Sequence, residues 1–256
     1  MFLSTPYSLA PGPWFSRSLS VPTPFVKPYP VQVDISPMNW YNLLVEEIMN
    51  MRLLDVKDKD RYLDYLQEAA EALRSGEIVA FPTETVYGLG VNARDEKAVK
   101  DLYAVKQRPQ EKEFARIICN LEEIGCLLGQ VEDPVHQLIE RFWPGPLTIV
   151  FSGYDGKDIG VRFPDHKVAQ DLVRLSGVPV LATSVNISGG PPATSAREVM
   201  ATMGGKIRLV LDGGPCRLKT PSTVVKISKG FYQILRTGAI TEEAINECMK
   251  GHLIIQ

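Results

Sequence analysis

The sequence is poor in cysteine, histidine and long apolar runs, and each shortage excludes a class of protein. The four cysteines of the 256 residues form no C-x-x-C pair and no zinc spacing with the three histidines, so neither a metal site nor a disulfide framework is predicted. No apolar run approaches the ~18 residues of a membrane-spanning helix, so no membrane association is predicted. The formal net charge of -2 gives no bulk argument for binding nucleic acid, which leaves only a local basic pocket.

The motifs of the common nucleotide-binding and hydrolase folds are also missing. The sequence contains no G-x-x-x-x-G-K-[ST] loop, no G-x-G-x-x-G turn and no G-x-S-x-G elbow. A nucleotide would therefore be held in another way. We expect any chemistry to rest on positioning and charge neutralisation rather than on a covalent intermediate.

Composition divides the chain into two predicted parts. Residues 1–54 form a proline-rich N-terminal extension, since eight of the 19 prolines lie within residues 1–37. Three interpretations stay open for it: a tail, an organellar transit segment, or a mis-assigned start with the true one at Met49 or Met51. Residues 55–256 are predicted to form a domain, because regular helix and strand patterns begin near Arg61. The apolar and charged fractions of the whole chain, 45% and 23%, are typical of globular proteins.

The stretch from Gly76 to Pro109 organises this domain. It predicts a buried strand over Glu77–Phe81, a polar turn, a loop marked by Gly88 and Gly90, and a helix with a basic C-terminus. Further strands are predicted at 114–119, 147–151, 159–163, 178–182, 207–211, 222–227 and 231–235, with helices at 62–73, 121–128, 134–143, 168–175, 195–203 and from 241. Interspersed helices and strands predict an α/β fold with a mixed sheet.

Three polar turns follow predicted strands, at the strand ends where α/β sheets bind ligands. They are Pro82–Thr85, Thr183–Gly190 and Arg236–Gly238. Any one of them alone is ordinary loop chemistry. Lys106 and Arg108 lie at a helix end, a common place for cations, but Lys112 adds a third positive charge close by. The turns and cations together predict a site for a polyphosphate.

Seven motifs in order resemble the YrdC-type threonylcarbamoyl-adenylate synthases: PTETVYGLG, KQRP with Lys112, FWPGPLT, GVRFP, TSVNISG, PSTVV and ILRTG. The resemblance covers about residues 58–240. It implies a single YrdC-like domain, in which a twisted mixed sheet with flanking helices surrounds a deep basic cavity. The implied reaction converts L-threonine, bicarbonate or CO2, and ATP with Mg2+ into threonylcarbamoyl-AMP and pyrophosphate. A downstream threonylcarbamoyl-transfer complex uses that product to modify adenosine 37 of tRNA.

The resemblance also implies roles for nine residues. Thr83, Arg162 and Thr183 correspond to the threonine site, with Arg162 a candidate for the carboxylate. Lys106 and Arg108 are the implied catalytic residues. The implied nucleotide site contains Lys106, Arg108, Ser184, Asn186, Ser222 and Arg236. No protein metal site is implied, because Mg2+ enters with ATP.

Some residues depart from the family pattern, and other functions stay open. Glu113 places an acid near the predicted phosphate site, Asn120 stands where some members have histidine, and Thr237 replaces a proline. The alternatives are an RNA-binding or ribosome-associated module that uses the same basic cavity, and a YciO-like paralogue, which lacks the paired K-x-R and S-x-N signature. A weak contact of this chain with tRNA also stays open. A hydrogenase maturation factor would need further domains. The predicted location is the cytoplasm, or an organelle if the extension is a transit segment.

Overall fold

A computed structural model describes residues 51–109, 111–128, 133–152, 158–228, 231–251 and 254–255. Most of the predicted extension lies outside these residues, and the boundary drawn at residue 54 falls inside a strand. The strands are β1 (Arg52–Asp55), β2 (Val79–Phe81), β3 (Gly88–Asn92), β4 (Ala115–Ile117), β5 (Leu147–Ser152), β6 (Asp158–Arg162), β7 (Val180–Ser184), β8 (Leu209–Asp212), β9 (Thr223–Ser228), β10 (Phe231–Arg236) and β11 (Ile254–Ile255). The helices are α1 (Tyr62–Arg74), α2 (Glu96–Lys106), α3 (Glu122–Leu128), α4 (Asp133–Phe142), α5 (Lys167–Ser176), α6 (Ala196–Met203) and α7 (Glu242–Met249).

All eleven strands of the described residues join one mixed sheet, in the order β1-β8-β2-β3-β7-β4-β6-β5-β9-β10-β11. The sheet contains both parallel pairs, such as β5 with β9, and antiparallel pairs, such as β5 with β6. The predicted α/β class with a mixed sheet and flanking helices is therefore confirmed. No helix among the described residues is long and apolar enough to cross a membrane.

Helices cover both faces of the first part of the sheet. Val79 and Phe81 of β2 join a buried cluster with apolar residues of α1 and α5. Ala80, between them, joins a different cluster with residues of α2 and α6. Because successive side chains of a strand point to opposite faces, these two clusters mark the two sides of the sheet. A third cluster brings together α3, α4, α7, β5 and β9.

The prediction of a loop at Gly88 and Gly90 is wrong, because both glycines belong to strand β3. This strand pairs antiparallel with β2 and with β7. A Cβ on Gly90 would lie 2.8 Å from Cε1 of Phe81, and one on Gly88 would lie 3.1 Å from Cζ of the same ring. The two glycines therefore make room for a buried aromatic ring and do not mark a turn.

Replacing Gly90 by alanine is expected to destabilise the fold by about 1–3 kcal/mol, because the new methyl group overlaps the Phe81 ring. Urea denaturation measures the effect. Gly125 is the matched control, since a Cβ there meets nothing within 4 Å and the residue lies in helix α3. Its replacement by alanine is expected to stabilise the protein by roughly 0.5–1 kcal/mol. Equal effects of both substitutions would contradict the role given to Gly90.

Candidate active site

A cavity of about 570 Å³ lies over the middle strands of the sheet. The floor of the cavity consists of two rows of side chains that run across neighbouring strands. On each strand the two rows are two residues apart, so they lie on the same face of the sheet. The first row contains Ile117, Arg162, Thr148, Val224 and Arg236, and the second contains Ala182, Ala115, Gly160, Val150 and Lys226. Residues from four separate motifs, GVRFP, FWPGPLT, PSTVV and ILRTG, therefore meet on one surface.

The cations of the cavity differ in their partners. Arg162 forms an ion pair with Glu84 at 2.8 Å, and Lys226 forms one with Asp158 at 2.7 Å. Arg108 and Arg236 make no ion pair within the described part of the chain, although both line the cavity. Two guanidinium groups without a carboxylate partner on one concave surface form a site suited to an anion.

Arg236 is the last residue of β10, and its guanidinium is hydrogen-bonded to Ser222, which precedes the neighbouring strand β9. Its Nη2 donates to the carbonyl oxygen of Ser222 at 2.8 Å and to the Ser222 hydroxyl at 3.2 Å. The Ser222 hydroxyl also lies 2.9 Å from that of Thr148. Burial lowers the pKa of Arg236, and repulsion from Arg162 and Arg108 lowers it further. The predicted residues Ser222 and Arg236 are thus brought together by the structure.

A close backbone approach supports this corner. A Cβ on Gly238 would lie 2.3 Å from the carbonyl oxygen of Pro221, so only glycine fits there. The Gly238 amide donates to the buried hydroxyl of Thr223 at 3.0 Å. The glycine of the ILRTG motif therefore lets the end of β10 fold against the start of β9.

Arg108 organises another part of the cavity wall. Its Nε donates to the carbonyl oxygen of Lys112 at 2.8 Å and its Nη2 to that of Glu113 at 2.9 Å. The guanidinium also lies 5.2 Å from the centre of the Phe114 ring. Burial lowers the pKa of Arg108. The loop after α2 is therefore held in place by an arginine that also faces the cavity.

Unlike Arg108, Lys106 does not line the cavity, and only 2% of the surface of Lys106 is exposed. Its Nζ donates to the carbonyl oxygens of Ser184 and Asn186 and to Oδ1 of Asn186. Burial lowers the pKa of Lys106 to about 7, and repulsion from Arg108 and Arg236 adds to this shift. Lys106 thus fastens the segment after β7 from behind the cavity wall.

The segment that Lys106 holds by hydrogen bonds contains the predicted site residues Thr183, Ser184 and Asn186. Thr183 and Ser184 are the last residues of β7, so the turn predicted from Thr183 begins two residues later. Both residues line the cavity, whereas Asn186 does not. The Ser184 hydroxyl donates to Oδ1 of Asn186 at 2.7 Å, and Nδ2 of Asn186 donates to the carbonyl oxygen of Gly190 at 2.8 Å. Asn186 therefore shapes the turn.

The turn between β2 and β3 supplies the last part of the site. Thr83 lines the cavity, and its hydroxyl donates to the carbonyl oxygen of Val86 at 2.6 Å and lies 2.9 Å from the Thr85 hydroxyl. Arg162 donates from Nη2 to Thr85 Oγ1 at 2.7 Å and to Glu84 Oε1 at 2.8 Å. Arg162 and Thr83 are thus linked through Thr85.

Sequence reasoning missed Glu84, Thr85, Thr148, Lys226 and Asp158. The first three lie inside motifs already singled out, PTET and FWPGPLT. Strand periodicity could have identified Lys226, which lies two residues beyond Val224 on the same face of β9. The Lys226–Asp158 pair spans β5 and depends on sheet register, which the sequence does not display.

The three departures from the family pattern occupy different places. Glu113 lines the cavity and its backbone carbonyl accepts from Arg108. Asn120 is exposed and its Oδ1 accepts from the amide of Glu122 at the start of α3. Thr237 donates from its hydroxyl to Glu242 of α7. Only Glu113 therefore bears directly on the cavity.

Comparisons with known proteins identify the family of the chain. The family model named Sua5_yciO_yrdC, described as "Telomere recombination", matches residues 71–238. The chain is 40% identical over 188 residues to the threonylcarbamoyl-AMP synthase of Pyrococcus abyssi, covering 70% of this chain and 55% of that protein. It is 38% identical over 178 residues to the threonylcarbamoyl-AMP synthase of Cellvibrio japonicus, covering 66% of this chain and 93% of that protein.

A solved structure shares both fold and sequence. The crystal structure of P. abyssi Sua5 complexed with L-threonine has a TM-score of 0.69 and 38% identity, covering 75% of this chain and 58% of that one. The chain spans about half the length of several curated relatives, including those from P. abyssi and Bacillus subtilis, at 55% each.

Proposed function

The chain belongs to the Sua5, YciO and YrdC family, and on that premise we propose that it is an L-threonylcarbamoyladenylate synthase. The reaction joins L-threonine, bicarbonate or CO2, and ATP into threonylcarbamoyl-AMP with release of pyrophosphate. The observation that carries the proposal is the pair of guanidiniums, Arg108 and Arg236, that face one cavity without a carboxylate partner among the described residues.

The two ends of the cavity suit the two substrates. We name Arg108 and Arg236 the phosphate end, because fixed cations neutralise a triphosphate. We name Thr83, Thr183 and Arg162 the amino-acid end, since there the guanidinium is already paired. Its position beside Thr83 supports the predicted role of Arg162 toward the threonine carboxylate. The threonine complex of P. abyssi Sua5 supports the choice of amino acid.

In the proposed chemistry, the threonine amine loses a proton and bonds to the carbon of CO2, giving a carbamate. A carbamate oxygen then attacks the α-phosphorus of ATP, and the bond to the bridging oxygen breaks as pyrophosphate leaves. Arg108 and Arg236 stabilise the charge that grows on the leaving group. Lys106 acts by holding Ser184 and Asn186 in position, so its proposed catalytic contribution is indirect.

Mg2+ is proposed to enter with the triphosphate. The described residues contain no group of three or more His, Cys, Asp or Glu side chains placed to hold a metal ion. Phosphate oxygens and water supply most ligands of such an ion, with one or two protein carboxylates. Glu113 and Asp158 line the cavity and are the candidate carboxylates.

The product is activated for transfer, so we propose a downstream threonylcarbamoyl-transfer complex that acts on tRNA. Direct contact of this chain with tRNA remains a prediction. The cytoplasmic location, with an organellar alternative, likewise remains a prediction that depends on residues 1–54.

Pyrophosphate release tests the proposal. Purified protein with ATP and Mg2+ is expected to release pyrophosphate only when L-threonine and bicarbonate are both present. Release that does not require threonine would contradict the proposal and favour another nucleotide reaction. Salt-sensitive tRNA binding without any release would favour the RNA-binding alternative.

Binding of ATP near pH 7.5 is expected to be accompanied by proton uptake. Repulsion from Arg108 and Arg236 helps to lower the pKa of Lys106 to about 7, and a triphosphate beside these arginines offsets that repulsion. A rising pKa means that Lys106 binds a proton when the anion binds. Calorimetric titrations in two buffers with different ionisation enthalpies measure this uptake. The variant Lys106→Met should abolish it, and equal heats in both buffers for the unmodified protein would contradict the coupling.

A further inference from the structure

Glu84 is a buried acid that none of the predicted site roles uses. The residue is 2% exposed and does not line the cavity. Its Oε1 accepts from Nη2 of Arg162 at 2.8 Å, while its Oε2 has no hydrogen-bond partner among the described residues. Burying a carboxylate without a partner costs free energy, so the ion pair with Arg162 is what offsets the cost of burying Glu84.

The Glu84–Arg162 pair determines the net charge at one end of the cavity. Arg162, Thr148, Val224 and Arg236 lie in one row, so the backbones at Arg162 and Arg236 are three strands apart, roughly 14 Å. At the far end of that row Arg236 makes no ion pair within the described residues. At the near end the negative charge of Glu84 cancels the positive charge of Arg162. One end of the row is therefore cationic, and the other is neutral overall.

A neutral pair discriminates between kinds of anion. A zwitterionic amino acid has a carboxylate that Arg162 can bind and an ammonium that offsets the repulsion from Glu84. A phosphate group carries up to two negative charges and no cation, so the carboxylate behind Arg162 repels it more strongly. We infer that Glu84 is a specificity-determining residue, which keeps phosphate groups out of the amino-acid end and so directs the triphosphate toward Arg108 and Arg236. This inference rests on the proposed function.

Glu84 also positions Arg162. The same Nη2 atom donates to Glu84 Oε1 and to the hydroxyl of Thr85, which lies 2.9 Å from the hydroxyl of Thr83. A change in the reach of residue 84 therefore moves the guanidinium, whereas a change in its charge alone alters which anion binds. Two substitutions separate these effects.

Glu84→Gln keeps the shape and the accepting Oε1 but removes the charge, and Glu84→Asp keeps the charge but shortens the side chain. The test measures the Kd of L-threonine by calorimetry without ATP, in the presence and absence of about 10 mM inorganic phosphate. At this concentration phosphate can compete for Arg162, while it screens the charges of the protein only modestly. Phosphate is expected to change the threonine Kd less than twofold in the unmodified protein. In Glu84→Gln it is expected to raise the Kd about tenfold or more, because phosphate now competes for Arg162.

Two controls make the result specific. Glu111→Gln removes an equal charge from a cavity-lining residue that is not paired with Arg162, and threonine binding should stay insensitive to phosphate in it. Glu84→Asp should bind threonine more weakly yet still exclude phosphate, so this variant tests the inference even if Glu84→Gln does not fold. Phosphate competition in Glu84→Asp, or none in a folded Glu84→Gln, would overturn the inference. Absence of threonine binding in the unmodified protein would instead overturn the proposed function.

Discussion

Replacement of Arg108 by methionine is expected to lower kcat/KM for ATP by about two orders of magnitude, the scale of losing one charge-stabilising donor, about 3 kcal/mol. Methionine keeps the aliphatic bulk near Phe114 but removes the guanidinium from the cavity. Because pyrophosphate gains charge as it leaves, the loss should affect kcat as well as KM. Initial rates of pyrophosphate release at varied ATP concentration separate the two constants.

Arg116→Met is the matched control for this result. Arg116 lies on β4 between two cavity-lining residues, so its side chain points away from the cavity, and its Nε has no hydrogen-bond partner among the described residues. Its removal deletes one cation of the same kind close to the same loop. We expect kcat/KM to change less than about threefold in this variant, since a charge outside the cavity is partly screened. Equal losses in both variants would show that Arg108 acts only through the general field of the protein.

Replacement of Lys106 by methionine is expected to reduce both activity and stability. The substitution leaves the carbonyl oxygens of Ser184 and Asn186 without their buried donor, at a cost of about 2 kcal/mol. The loosened segment includes Ser184, which lines the cavity, so activity should fall at least tenfold. Urea denaturation and pyrophosphate release measure the two effects.

The cost of Lys106→Met should grow with pH. The pKa of Lys106 is lowered from 10.5 in the unfolded chain to about 7 in the folded protein. Between these values the unfolded chain binds the proton that the folded protein has released, so rising pH stabilises the unmodified protein. Methionine does not titrate. The stability difference should therefore increase by up to about 2 kcal/mol from pH 7 to pH 9 and stay constant below pH 6. A difference that shrinks over this range would contradict the burial of a titrating lysine.

The fold class was predictable because the spacing of apolar residues in the local sequence distinguishes helices from strands. Helix α1 is an example, since Leu66, Ala69 and Leu73 recur at helical spacing in the sequence and are all buried in the structure. Gly88 and Gly90 were misread because their reason lies in the ring of Phe81 on the neighbouring strand. A residue that makes room for another strand's side chain cannot be distinguished from a turn glycine without the register.

The site was predictable in its members but not in its arrangement. Lys106 and Arg108 are two positions apart in sequence, yet Arg108 faces the cavity and Lys106 is buried behind its wall. The αL conformation of Gln107, with φ of 50°, ends α2 between them and redirects the chain. Arg162 was predicted as a single cation, and its neutralisation by Glu84 depends on the turn between β2 and β3 reaching the end of β6. Pairing of charges between elements distant in sequence is therefore information that local sequence patterns do not contain.

Incorporation of isotope-labelled bicarbonate tests the central claim most directly. The purified protein is incubated with ATP, Mg2+, L-threonine and labelled bicarbonate, and the products are identified by mass spectrometry. We expect an adenylate that contains both the threonine and the labelled carbon, formed in amounts equal to the pyrophosphate released. An adenylate without the labelled carbon, or pyrophosphate release with no threonine-containing adenylate, would contradict the account.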